Sequence, residues 1–179
     1  QGQNVISKMP EQRWQLLKSS HEFSARDSSH PYWGGFLTDI DYFDAYFFGI
    51  SPREAIRIDP QQRLLLEVTY EAILDAGLST QQLIGSNTGV FVSLYASQFG
   101  HIQNLDTTLD ALFLPTGNAP SIAANRISYQ FDLRGPSMVM DTACSSSLVA
   151  AHLACLHLQN QLCDLALVGG VNINFSPSI

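Results

Sequence analysis

Positive charge is scarce in this chain. Nine lysines and arginines stand against sixteen acidic residues, a formal charge of −7. A nucleic-acid partner would call for a basic stripe, so that class of function is excluded. Cysteines number only three. An odd count without repeating spacing implies no disulfide framework and a reducing, cytoplasmic setting. No apolar run approaches the roughly 18 residues of a membrane span. The N-terminus lacks the charged-then-apolar order of a secretory signal. Low-complexity linkers and internal repeats are missing too, so the 179 residues, 45% hydrophobic, read as a single domain with no second one.

What is present centres on Asp141-Thr-Ala-Cys-Ser-Ser-Ser147. The apolar run Pro136–Met140 precedes it, and such a short uninterrupted run reads as a buried strand. Leu148 to Leu158 follows, apolar around nearly its whole circumference, which reads as a helix buried on all sides. Cys144 is therefore expected on a strand-to-helix turn, among residues small enough to admit a substrate. Unpaired N–H groups and the helix dipole at that position favour thiolate over thiol. The Gly-x-Ser-x-Gly elbow of hydrolases is not matched. Cys155 and Cys163, within apolar runs, are expected to be buried as small hydrophobes.

Asp59 to Gly77 reads as the best-defined helix. Asp59 is its expected N-cap, Pro60 its first residue, Gln62 the partner in a capping box and Gly77 the left-handed stop. Leu65, Val68, Ala72 and Ala76 recur at helical spacing, while Arg63 and Glu67 are expected to pair on a solvated face. Thr88–Ser93 and Leu165–Val168 read as buried strands, and Ser97–Leu114 as a loop with helical pieces. Ala119–Tyr129 reads as a helix capped by Asn118. Residues 1–33 are expected to run over the surface with one helical turn, pinned by Trp14 and Trp33. The aromatics of Phe43–Ile50 need cover. Helices alternating with apolar strands indicate an α/β class with a largely parallel sheet.

The Cys144 motif resembles the active-site motif of β-ketoacyl synthases, specifically the ketosynthase domains of modular type I polyketide synthases. Gly34–Leu37, Phe47–Glu54, Asp59–Glu67, Asn125–Ser128, Asp132–Ser137 and Val168–Asn172 match further landmarks of that family in family order. The resemblance implies a thiolase-like fold, layered αβαβα. Residues 1–179 would be most of its first half, truncated at both ends. It implies an acyltransferase in polyketide or fatty acid biosynthesis. Cys144 would be the nucleophile and a backbone oxyanion donor, condensing its acyl thioester with a malonyl-type extender. The substrates would arrive on the phosphopantetheine arm of acyl carrier protein; no cofactor or metal would be bound directly, and the complete domain would be a homodimer.

The family's two histidine motifs, His-Gly-Thr-Gly-Thr and Asn-Ile-Gly-His, do not occur, so this stretch alone is not expected to catalyse condensation. His152 and His157 cannot substitute, since His152 lies about 12 Å along the helix from Cys144. His21, His30 and His101 match no motif. A non-catalytic scaffold or dimerisation piece, or another thiolase-like or hydrolytic cysteine enzyme, are the alternatives. The retained cysteine weighs against the first, and the Asp59–Glu67 and Asp132–Ser137 signatures weigh against the second.

Overall fold

A computed structural model describes residues 2–18, 32–95, 97–103 and 113–175. Its centre is the strand Thr88–Leu94 (β3), in which every residue is buried. Elements before it are β1 (Ser7–Lys8), α1 (Glu11–Lys18), β2 (Trp33–Gly34), α2 (Pro52–Ala55), α3 (Pro60–Asp75) and α4 (Thr80–Leu83). After it come α5 (Phe99–Ile102), α6 (Leu114–Asn118), α7 (Ile122–Gln130), β4 (Ser137–Met140), α8 (Ser146–Gln159) and β5 (Leu165–Val171). The main sheet has the order β4-β3-β5 and both pairings are parallel, with Ser93 opposite Met140 and Leu94 opposite Val171.

Alternation along β3 divides the interior in two. Val90, Val92 and Leu94 join Leu65, Leu66 and Ile73 of α3 and Ala123, Ala124 and Ile127 of α7. Phe91 joins Ala150 and Ala154 of α8, with Cys163, Met138 and Met140 beside them. The result is helix, sheet, helix. The α/β parallel reading therefore holds.

Helix α3 starts and stops as its sequence suggests. The Asp59 carboxylate accepts from the Gln61 N–H at 2.8 Å. At the other end Gly77, at φ 74, donates to the Leu74 carbonyl and Leu78 donates to that of Ile73, a Schellman closure. Gln62 does not close a capping box. Its amide donates to the carbonyls of Gly117 (3.0 Å) and Ala119 (3.3 Å) and accepts from Arg126 Nε (3.0 Å). Gln61 accepts from the Ile173 N–H at 3.1 Å. Arg126 also meets Glu54 at 2.9 Å and the Thr116 carbonyl at 3.1 Å. Asp59, Gln61 and Gln62 are at most 2% exposed, so this polar network lies inside the domain.

Several expectations need correction. Arg63 is buried rather than solvated, reaching the Asp41 carbonyl at 3.4 Å, because the segment after Ile40 folds over the start of α3. Val68 is half exposed, and the buried face of α3 is formed by Leu65, Leu66 and Ile73. Asn118 caps no helix; its amide donates to the carbonyls of Arg57 and Leu114 at the end of α6, and α7 begins later, at Ile122. The N-terminal segment has two turns of helix instead of one. Trp33 is exposed, so it anchors little; buried Arg13 does so, donating to the carbonyls of Asn174 (2.9 Å) and Leu37 (2.7 Å). Burial lowers the pKa of that guanidinium.

The aromatics of Phe43–Ile50 cluster only in part. Phe43 stacks on Phe48 and Phe47 meets Tyr70 edge-on, while Tyr46 stays exposed. Helix α8 is not buried all round. Ser146, Ala150 and Ala154 form its only buried stripe, spaced at one turn, and Leu148, Leu156 and Leu158 face outward because one sheet covers one side.

Two outcomes follow from these contacts. Arg126→Met should lower stability by about 1.5–3 kcal/mol, the usual worth of charged hydrogen bonds left unmade, read as a lower midpoint of urea unfolding. Glu54→Gln, which keeps an acceptor, should cost less. Glu67 is held above the ordinary carboxylate range, first by burial and then by Glu71, against the opposing Asp44 N–H and Arg63. The folded chain therefore binds that proton more tightly than the unfolded chain. Stability contributed by Glu67 is present at acid pH and falls as pH rises from the ordinary Glu value through the raised one. Glu67→Gln should remove this decline in a series of unfolding curves across that range.

Candidate active site

Strand β4 ends at Met140 and the chain reverses into α8 within Asp141–Ser145. Parallel strands put all their carboxyl ends on one edge of the sheet, the edge where open α/β sheets bind ligands. The turn stands on that edge. Cys144 is exposed and lines a cavity of about 500 Å³. Ser93, Leu94 and Tyr95 enter it from the end of β3, and Gly170, Val171 and Asn172 from the end of β5. Ala143, Ser146 and Ser147 complete the lining.

Short polar side chains hold the turn. Asp141 Oδ1 accepts from the Ala143 N–H at 3.0 Å, and Ser145 Oγ donates to the Thr142 carbonyl at 2.8 Å. Ser146 Oγ accepts from the Thr142 N–H at 2.7 Å and donates to the Ala143 carbonyl at 2.6 Å. Ala143 has φ 55, the left-handed region, which costs a residue with a Cβ about 1–2 kcal/mol. Cys144 follows that left-handed residue and is exposed. Deeper in the cavity, Ser93 Oγ and Ser147 Oγ lie 3.0 Å apart in front of Gly170. A Cβ on Gly170 would stand 2.5 Å from the first oxygen and 2.8 Å from the second.

The structure brings Cys144 to the cavity and leaves the other cysteines away from its lining. Cys163 is buried, as expected. Cys155 is exposed, contrary to expectation, because it lies on the outward side of α8. His152 is exposed on α8, and His157 is half-buried, with its ring 5.0 Å from Phe91 and Nδ1 2.7 Å from the Leu153 carbonyl. Neither lines the cavity. His21 and His30 lie outside the described residues, as does the side chain of His101. Among the described residues no cluster of His, Cys, Asp and Glu could hold a metal ion, and no helix is long and apolar enough to cross a membrane. Sequence reasoning missed Ser93, Ser146, Gly170 and Asn172. Ser146 lay within the Asp141–Ser147 motif and Gly170 and Asn172 within the Val168–Asn172 landmark, but neither pattern said that they line a cavity, and Ser93 stood out only as a small residue at the end of an apolar run.

Comparisons with known proteins converge. A family model described as "Beta-ketoacyl synthase, N-terminal domain" matches residues 1–179. One polypeptide of the phenolphthiocerol/phthiocerol polyketide synthase of Mycobacterium tuberculosis is 50% identical over 97% of the chain, which covers 9% of that protein. Highly reducing polyketide synthase easB of Emericella nidulans is 53% identical over 78% of the chain, which covers 6% of it. The ketosynthase from module 6 of the bacillaene synthase of Bacillus subtilis superposes with TM-score 0.79 at 36% identity, over 98% of this chain and 28% of that one. An oxazolomycin ketosynthase domain from a Streptomyces albus strain gives TM-score 0.78 at 37% identity, over 98% and 31%. The chain thus spans less than a tenth of these two curated relatives and under a third of these two solved chains.

The exposures make a direct expectation. Iodoacetamide should alkylate Cys144 and Cys155 in the native chain and reach Cys163 only in denaturant. Peptide mass mapping reads the result, and native labelling at Cys163 would contradict the packing around Phe91.

Proposed function

The chain belongs to the β-ketoacyl synthase family, with the thiolase-like fold of its ketosynthases, and from that premise we propose that it is the nucleophile-bearing first half of a polyketide synthase ketosynthase domain. One observation carries the reading. Cys144 is the cysteine that stands on the carboxyl edge of the sheet, exposed to a cavity, on a turn held by its neighbours' polar groups.

In the proposed reaction the Cys144 thiolate attacks the carbonyl carbon of an acyl thioester carried on the phosphopantetheine arm of acyl carrier protein. A new carbon–sulfur bond forms, the carrier's carbon–sulfur bond breaks, and the departing thiolate takes a proton. A malonyl-type extender on carrier protein then loses carbon dioxide. The electron pair left behind, held as an enolate, attacks the Cys144 thioester carbonyl and returns Cys144 as thiolate. Negative charge appears on the carbonyl oxygen in both attacks, so fixed N–H donors matter most there. The Cys144 N–H is one such donor.

Decarboxylation needs charge stabilisation at a second centre, and the histidine motifs that serve it in the family do not occur in these 179 residues. The bare side of α8 supports the assignment to half a domain. Leu148, Leu156 and Leu158 are the kind of apolar surface that a second half would cover. Homodimerisation and a cytoplasmic location accompany this reading. Phosphopantetheine enters as part of the substrate.

The test separates acylation from condensation. These residues alone, presented with an activated acyl thioester, should gain the acyl mass slowly at Cys144. They should release no carbon dioxide from malonyl carrier protein above the uncatalysed background, with Cys144→Ala as the blank. Cys144-dependent condensation by residues 1–179 would refute the division of labour. An acyl adduct undiminished in Cys144→Ala would refute the nucleophile.

A further inference from the structure

Resting on the reading of Cys144 as nucleophile, we infer that Ser146 is a positioning residue for acylation, acting through the peptide group between Ala143 and Cys144. That peptide carries the Ala143 carbonyl on one side and the Cys144 N–H on the other. A planar trans peptide points these two groups in opposite directions, so fixing one aims the other. Ser146 Oγ fixes the carbonyl, donating to it at 2.6 Å, and the Ser146 N–H donates to the same oxygen at 3.1 Å.

The direction of the hydroxyl proton is settled by its partners. At 2.7 Å the Thr142 N–H can only donate, so Oγ accepts there. The Ala143 carbonyl can only accept, so the proton of Oγ goes to it. One side chain thereby ties the backbone on both sides of the left-handed Ala143. Ser146 is 6% exposed, so water does not readily take its place, whereas Ser145 and Thr142, whose hydroxyls also bond in this turn, are exposed. Its hydroxyl has no role in the chemistry of the thiolate itself. It serves the donor that meets the carbonyl oxygen.

This predicts a split between two reactions of one sulfur. Acylation by a thioester builds charge on a carbonyl oxygen and needs the aimed N–H. Alkylation by iodoacetamide displaces iodide and builds no such oxyanion. In the complete polypeptide that carries these residues, Ser146→Ala should slow acylation of Cys144 by an acetyl N-acetylcysteamine thioester about tenfold or more. Its rate of Cys144 alkylation should change by less than about threefold, a loosened turn still presenting the sulfur. Ser146→Thr, which keeps the hydroxyl, should acylate at close to the parent rate. Ser146→Val matches threonine in shape and lacks the hydroxyl, so it should behave like Ser146→Ala and serves if the alanine variant does not fold.

Unchanged acylation in Ser146→Ala would overturn the inference, as would acylation and alkylation falling in proportion, the mark of a general loss of structure. Equal rates for the threonine and valine variants would overturn it too. Acylation that persists in Cys144→Ala would overturn the nucleophile assignment instead, a separate failure.

Discussion

Three polar residues, Asp59, Gln61 and Gln62, are withdrawn from water at the start of α3, and their hydrogen-bonding needs dictate much of the domain. A buried amide or carboxylate left unpaired costs more than a typical pair contributes, so each must find a fixed partner. Asp59 takes the α3 N-terminus and the Ser97 hydroxyl beyond β3. Gln61 takes the Ile173 N–H just past β5. Gln62 takes the carbonyls of Gly117 and Ala119 and, through Arg126, reaches Glu54. Segments that follow β3 and β5, and the helix that leads into β4, are thus tied to one helix end. The cavity beside Cys144 is lined by the ends of these same strands, so its shape is inherited from a network that does not touch it.

The architecture was legible where a pattern has one structural solution. β3 has a run of apolar residues bounded by Asn87 and a polar segment, and such a run at the centre of a parallel sheet must be buried on both faces. Asp59 and Gly77 marked the ends of α3 because capping and left-handed closure are local properties. Cys144 was legible for the same reason, its surroundings being small and polar between two apolar runs. Local rules failed where tertiary partners decided. Gln62 fits a capping box by spacing, yet its Oε1 accepts from Arg126 Nε, and the Asp59 N–H that a box would use donates to the Gly117 carbonyl at 2.9 Å. Arg63 is charged at a helix start and is covered by a segment whose approach no periodicity announces.

Helix α8 teaches a different point. Its composition predicts burial on every side, while its placement buries only the stripe of Ser146, Ala150 and Ala154. Composition reports the environment for which a helix is suited, and position reports the environment it has within a given stretch of chain. The small stripe lets the helix lie close on β3, which brings Ser147 within 3.0 Å of Ser93 and closes the inner end of the cavity. Larger side chains at Ala150 or Ala154, which pack against Phe91, would lift the helix and, with it, the turn that carries Cys144.

The sheet order also bears on how the chain acquires its shape. β3 is the middle strand, but both of its neighbours are made after it, and Thr88 must wait for Leu165 before its outer side is paired. Contacts this distant in sequence are slow to form, since the loop must close before any bond rewards it. Until β5 arrives, β3 presents a seven-residue strand, every residue of it buried in the finished fold, with an open edge. Such a strand is a template for pairing with the wrong chain. On the ribosome, this order of synthesis makes the interval between β3 and β5 the vulnerable period. The nascent chain then depends on α3, already complete, to shelter one face of the strand while the other waits for α8.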